Sequence, residues 1–183
     1  MASGFVSALP IVGPVAVTQA VLPALRSARG RIAVVGSVSG RVSTPLLGAY
    51  AASKFALEGL IDALRVELRP WGIRVALIEP GSIDTDIWRG ALETADETEA
   101  AMSPVHRELY SRQLAAIRKL AVRVQGQTSP PATVAAAAVK ALTDRRPRAR
   151  YVVGTDARVQ LALHGTLPTA AWDAVLARLS GAR

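Results

Sequence analysis

Two short runs of apolar, β-branched residues constrain this chain more than any other feature. "GRIAVVGS", residues 30–37, and "GIRVALIEPG", residues 72–81, each open on a glycine and read as strands buried on both faces. Between them, from about Ala49 to Pro70, Leu57, Leu60, Ile61, Leu64 and Leu68 recur at helical spacing. Strand, long helix and strand in that order form a right-handed crossover, which places both strands in one parallel sheet. Glu58, Asp62, Arg65, Glu67 and Arg69 are expected to be the solvent-facing charges of the helix.

The alternation continues on either side. "PVAVTQAVLPALRS", 14–27, predicts a helix with Pro14 in its first turn. Residues 38–48 hold Gly40, Pro45 and Gly48 and read as loop. Residues 82–129 are less regular, with an acidic patch at 93–99 and a helix expected from about Pro104 to Val124. "PPATVAAAAVKALTD" predicts a further helix, "ARYVVG" a third strand, and "LPTAAWDAVLARLSG" a terminal amphipathic helix. The expected fold is α/β, a parallel sheet with flanking helices, built as a single domain of 183 residues.

Composition narrows the chemistry. There is no Cys, which excludes disulfides, thiolate catalysis and Cys-based metal sites, and His106 and His164 are too few for a His-rich metal site. The net charge of +8 raises nucleic-acid or membrane-surface binding. Its denser groups, "RSARGR" and "RRPRAR", each lead into a strand without interleaved aromatics, so nucleic-acid binding is disfavoured. The first 25 residues carry no charged side chain, but Pro10, Pro14 and Pro23 interrupt them and no basic segment precedes them. No transmembrane segment is expected, and the expected location is the cytoplasm.

In parallel sheets of this kind, ligands sit beyond the carboxyl ends of the strands. Ser37 follows the first strand, "PGSIDT" with Gly81 and Thr85 follows the second, and Tyr50 and Lys54 open the helix between them. Four residues apart on a helix, Tyr50 and Lys54 share a face. A phenol with an ordinary pKa near 10 is a poor base at neutral pH, and a cation within about 4–6 Å favours its ionised form. Ser37 can donate a hydrogen bond to a substrate oxygen on which charge develops. Hydride has to come from a cofactor, because no side chain supplies it. Alone, a Tyr–Lys pair, a Ser after a strand or a Pro-Gly is weak. Ser, Tyr thirteen residues later, Lys four residues after that, then a strand and Pro-Gly-x-x-x-Thr form a far more specific set.

With those residues in place, the chain resembles the short-chain dehydrogenases/reductases, Rossmann-like oxidoreductases that use NAD or NADP. The stretch from "GRIAVVGS" to "PGSIDTDIW" carries the resemblance, and "RPRARYVVGTDARVQLAL" looks like the closing strand of members related to retinol and steroid dehydrogenases. The resemblance implies that Ser37, Tyr50 and Lys54 are the catalytic residues, with Tyr50 exchanging a proton with an alcohol or carbonyl substrate. Lys54 would also hold the nicotinamide ribose, and Gly81, Ile83 and Thr85 would receive the nicotinamide carboxamide. It further implies a catalytic core at 14–85, a substrate lid at 86–129 that includes Trp88, and a C-terminal helix-strand-helix at 130–183. Helices 14–27 and 49–69 would join two copies in a homo-oligomer.

Two departures qualify the resemblance. Pro10 stands where the family usually has an Asn, and the sequence has no G-x-x-x-G-x-G turn, no residue selecting NAD or NADP, and no Asn-Asn-Ala-Gly segment. The expected Rossmann-like sheet is therefore incomplete, with about three strands and an exposed apolar edge at 31–36. The chain then reads either as the catalytic half of an NAD- or NADP-dependent oxidoreductase, or as a truncated, inactive remnant that acts through its helix-mediated association surface.

Overall fold

The computed structural model describes residues 9–86 and 91–181, and its centre is a parallel sheet of three strands. These are β1 (Arg31–Val35), β2 (Arg74–Pro80) and β3 (Arg150–Val153), in the spatial order β1-β2-β3. Val35 lies opposite Ile78, and Pro80 opposite Val153. The carboxyl ends of β2 and β3 are thus level, and β1 ends two residues short of them. β2 is in the middle and is buried from Val75 to Pro80, which is why it reads as a continuous apolar run.

Two compact units share the chain. One comprises the described residues up to Gly81 together with Ala132–Leu161 and contains the sheet. Its helices include α1 (Leu9–Ala28), α2 (Gly48–Glu67) and most of α6 (Pro131–Thr143), with short 3-10 turns at Val38–Gly40 and Arg69–Trp71. The core is built where α2 meets β2: Leu57, Ile61 and Leu68 pack with Ile73, Val75 and Leu77. Leu22 and Leu25 of α1 and Ile32 and Val34 of β1 close around them. Burying a side chain as fully as Leu57, Ile61 or Leu77 contributes roughly 1.5–3 kcal/mol.

The other unit holds α3 (Ala91–Ala101), α4 (Pro104–Leu109), α5 (Ser111–Gln125) and α8 (Thr169–Leu179). Arg118 of α5 pairs with Asp96 and Glu99 of α3. Against α5, Gly181 takes φ 67, and a Cβ there would stand 2.9 Å from the Arg112 carbonyl. α7 (Thr155–Thr166) runs from one unit into the other.

Several elements differ from their sequence reading. α1 begins at Leu9, so Pro14 and Pro23 are interior to it. An interior proline removes one helical hydrogen bond; the helix continues through both, and its Leu22 and Leu25 pack against the core. Within α1, Ile11–Ala28 is long and apolar enough to cross a membrane by length and composition. The helix expected from Pro104 is broken at Tyr110, whose backbone leaves the helical region (φ −104, ψ 8). The acidic patch at 93–99 lies on a helix, α3, and α7 was not expected at all.

The largest correction concerns the charges of α2. Glu58 is buried, not solvent-facing, and belongs to a cluster of three carboxylates and three guanidinium groups. Arg150 donates from Nε and Nη2 to Glu58 Oε2 at 3.1 and 3.0 Å, and from Nη2 to both Asp62 oxygens at 2.7 and 2.6 Å. Arg65 donates to Asp62 at 2.6 Å and to the Val75 carbonyl at 3.2 Å. Glu79 of β2 has no solvent exposure; its Oε2 accepts from Arg41 at 3.2 Å. Its Oε1 lies 3.0 Å from Arg150 Nε, within ion-pair range, but the N–H points to Glu58 and makes no hydrogen bond with Glu79.

Burial, and then the neighbouring Glu79 charge, raise the Glu58 carboxyl above its ordinary range. Burial alone would raise Asp62 as well, but hydrogen bonds from Arg150 and Arg65 outweigh it and hold Asp62 below its ordinary range. The two signs oppose each other. Asp62 stabilises the fold above its unfolded pKa, and that contribution is lost as pH falls through its folded pKa. Glu58 favours the fold below its unfolded pKa and loses that contribution as pH rises through its raised folded value. Urea unfolding across the acid range is therefore expected to show the wild type losing its advantage over Asp62→Asn as pH falls. Its advantage over Glu58→Gln is expected to shrink as pH rises.

Candidate active site

Ser37, Tyr50 and Lys54 all arise from the crossover β1–α2. Gly36 N–H donates to the Ile78 carbonyl at 2.8 Å, extending the β1–β2 pairing one residue past the strand and releasing the chain at Ser37. Ser37 is extended and caps the Val38–Gly40 turn, its Oγ accepting the Ser39 N–H at 3.1 Å. The cap uses a lone pair and leaves the hydroxyl able to donate.

The turn then meets α2. A Cβ at Gly40 would come within 2.9 Å of both the Lys54 carbonyl and the Glu58 side chain, so only glycine lets the turn sit this close. The Ser37 turn is thereby seated on the part of α2 that carries Lys54. α2 returns antiparallel to the strands, so its first turns lie at their carboxyl ends. Leu46, at the entrance to the helix, takes φ 66, a conformation that strains a residue with a Cβ.

On α2, the Lys54 Nζ stands over the Tyr50 ring, 5.7 Å from its centroid. That is contact range for a cation on an aromatic face. Burial lowers the Lys54 pKa from the ordinary lysine value. Tyr50 is 46% exposed. Below it, Ser53 Oγ donates to the Tyr50 carbonyl at 2.7 Å, fixing the first turn of the helix.

Gly81 follows β2 at the same sheet edge, its N–H donating to the Val153 carbonyl at 2.9 Å. The Asp156 carboxylate occupies the space that a Cβ on Gly81 would need, so a larger residue there would have to displace that side chain. Ile83 and Thr85 belong to the second unit. There Ile83 bridges to Ser129, and Thr85 Oγ1 donates to the Ile83 carbonyl at 3.4 Å. Trp88 lies outside the described residues.

For a nicotinamide cofactor the fit is divided. A hydroxyl, a phenol and a half-buried ammonium near one sheet edge suit the nicotinamide end. The glycines after β1 are not a phosphate cradle: a Cβ at Gly36 would meet Leu77 at 3.1 Å, and Gly40 is closed by α2. Sequence reasoning missed Arg41, Glu79, Arg150 and Asp156 around this edge. One signal for them was present, a single carboxylate in the otherwise apolar "RVALIEPG".

Comparison with known proteins agrees with the fold. A family model described as short chain dehydrogenase matches residues 6–96. An uncharacterized oxidoreductase, YusZ, of Bacillus subtilis is 36% identical over 169 residues, 91% of this chain and 58% of that protein. Human retinol dehydrogenase 5 is 36% identical over 171 residues, 90% of this chain and 53% of the relative. Among solved structures, a short-chain dehydrogenase from Streptomyces avermitilis superposes with a TM-score of 0.64 at 28% identity, covering 93% of this chain and 56% of that one. A Burkholderia cenocepacia short chain dehydrogenase in complex with NADP shares the fold, with a TM-score of 0.62 at 23% identity over 93% of this chain and 56% of that one. The chain spans about half the length of the curated relatives it matches. On the matched segment, its relatives and the shared fold, this chain belongs to the short-chain dehydrogenase/reductase family.

Proposed function

We propose that the chain is the catalytic half of an NAD- or NADP-dependent oxidoreductase acting on an alcohol or carbonyl. The observation that carries this reading is the Lys54 ammonium, half-buried and 5.7 Å from the centre of the Tyr50 ring, on the helix against which the Ser37 turn packs. When bound, the nicotinamide supplies hydride to a carbonyl carbon or accepts it from a carbinol carbon.

The chain's own groups manage the oxygen. In reduction, the Tyr50 hydroxyl gives its proton to the carbonyl oxygen, and in oxidation the phenolate takes the proton back from the alcohol. Lys54 stabilises the negative charge left on the phenol oxygen. Ser37 donates its hydroxyl proton in a hydrogen bond to the same substrate oxygen as charge builds on it. Gly81, Ile83 and Thr85 are assigned to the nicotinamide carboxamide by family resemblance. The retinol and hydroxysteroid dehydrogenases among the relatives favour a hydrophobic alcohol as substrate.

A second reading, association of two copies, rests on a separate observation. α2 exposes Ala52, Phe55, Ala56, Gly59, Ala63 and Val66 with no charged side chain among them, and α1 exposes Val17 and Val21 one turn apart. A contiguous apolar surface of this kind marks an interaction site. Small residues let a second helix approach closely.

Three outcomes test these readings. In a protein that carries these residues and turns over substrate, Tyr50→Phe is expected to lower kcat by about 10²–10⁴-fold; near-normal turnover rules the mechanism out. The chain by itself is expected to show negligible affinity for NADPH or NADH in a fluorescence titration, because its post-strand glycines are filled by packing; micromolar binding overturns that. Sedimentation velocity is expected to show a dimer that Gly59→Glu converts to monomer with its helical content intact. A monomeric wild type removes the association reading.

A further inference from the structure

Four elements meet around the buried Glu79 carboxylate, and three of them carry a residue of the proposed site. Glu79 itself stands two residues before Gly81 at the end of β2. Arg41, which donates to Glu79 Oε2 at 3.2 Å, directly follows the Val38–Gly40 turn capped by Ser37. Glu58, one helical turn beyond Lys54, is bound by Arg150 of β3, whose Nε also lies 3.0 Å from Glu79 Oε1.

We propose that Arg41 and Glu79 are positioning residues: their ion pair tethers the Ser37 turn to the end of β2 and presses it onto the Lys54 turn of α2. The proposal rests on the oxidoreductase reading only for its purpose; the tether itself is a statement about geometry. Burying a carboxylate with no exposure is costly unless it is paired. Arg150 already answers Glu58 and Asp62, so Arg41 supplies the one hydrogen bond described for the Glu79 side chain. The Arg41 side chain is 44% exposed. The turn it follows is short, closed by Gly40 N–H to Ser37 carbonyl at 2.9 Å and Arg41 N–H to Val38 carbonyl at 2.9 Å. Gly40 has no side chain with which to grip α2. Buried Val38, Gly40 and Val42 pack the turn against its surroundings, and the Arg41–Glu79 pair is the charged contact that joins it to β2.

The test uses the full chain and needs neither cofactor nor substrate. Only three lysines occur in the sequence, so carbon-13-labelled lysine gives a resolvable titration for Lys54, whose neighbours include Tyr50 and, one turn on, Glu58. Hydrogen exchange is read at the Gly40, Arg41 and Val42 amides. In Arg41→Ala these amides are expected to exchange about tenfold faster or more while the β2 amides stay protected. The Lys54 midpoint is expected to rise toward the ordinary lysine value as the turn lifts and water reaches the ammonium. Arg41→Lys, which keeps one charged donor for a single-contact pair, is expected to restore both. Glu79→Gln should reproduce the Arg41→Ala pattern; should it fail to fold, Arg41→Ala and Arg41→Lys decide the matter alone. A core control, Ile61→Val, should lower overall stability and leave both readouts in place. If Arg41→Ala lowers stability without moving local exchange or the Lys54 titration, the pair is merely structural and the proposal fails. Failure of the oxidoreductase reading would instead appear as turnover surviving Tyr50→Phe.

Discussion

The structure depends on placing three carboxylates and three guanidinium groups at the side of a nearly apolar sheet. Glu79 is the focus because it is fully enclosed and sits in the central strand. An isolated charge there would cost several kcal/mol, so the surrounding elements have to bring their own charges. Arg41 arrives from the loop after β1, Arg150 from β3, and Glu58 and Asp62 from α2. Opposite charges of equal number meet. That requirement fixes loop, helix and strands relative to one another more narrowly than apolar packing does, because a hydrogen bond tolerates far less displacement than a hydrophobic contact.

The same constraint explains why the candidate site is built from glycine as much as from reactive groups. Gly40 admits the turn to the helix backbone, and Gly81 leaves room for the Asp156 carboxylate against the end of β2. A Cβ at Gly40 would push apart the turn and α2, which the ion pairs draw together. Lys54 lies inside this compressed region, which is the physical reason that its ammonium is half-buried while the Tyr50 ring beside it remains largely accessible. A cation partly stripped of water and held over a phenol is costly to maintain. Its retention in a helix otherwise rich in Ala and Leu calls for a use.

The three strands and α2 were legible because each has one dominant period: continuous apolar runs for β1 and β2, and helical spacing at Leu57, Ile61 and Leu64. Tyr50 and Lys54 were legible for the same reason, since helical spacing alone puts them on one face, and the structure brings them together. Glu58 was misread. A Glu on an amphipathic helix normally faces water, and nothing local reveals a partner ninety-two residues away. Pairings at that separation are set by tertiary register, which hydrophobic periodicity does not encode. α1 failed differently. Its two prolines suggest a later start and a shorter element, whereas the helix runs through both and sets Leu22 and Leu25 against the core. Tyr110, which ends α4, has no distinctive turn chemistry and offered no signal.

The incomplete sheet and the bare helical face bear on the same question from two directions. β1 is a terminal strand of the described sheet, with Val35 exposed at its carboxyl end and Ile32 and Val34 only partly covered. An edge of that kind presents unpaired backbone groups that favour a further strand, whereas the exposed face of α2 presents small apolar side chains that favour a helix. The two surfaces want different partners. A second copy of this chain can satisfy α2 by symmetry, the same patch meeting itself. It cannot in the same contact add a parallel strand to β1, since a two-fold axis across a sheet edge brings the two strands together antiparallel. Self-association therefore accounts for the helical face and leaves the β1 edge as a separate requirement. The tether at Arg41 and Glu79 does not meet that requirement either, because it secures the Ser37 turn beyond the strand and leaves the strand's own backbone groups as they were.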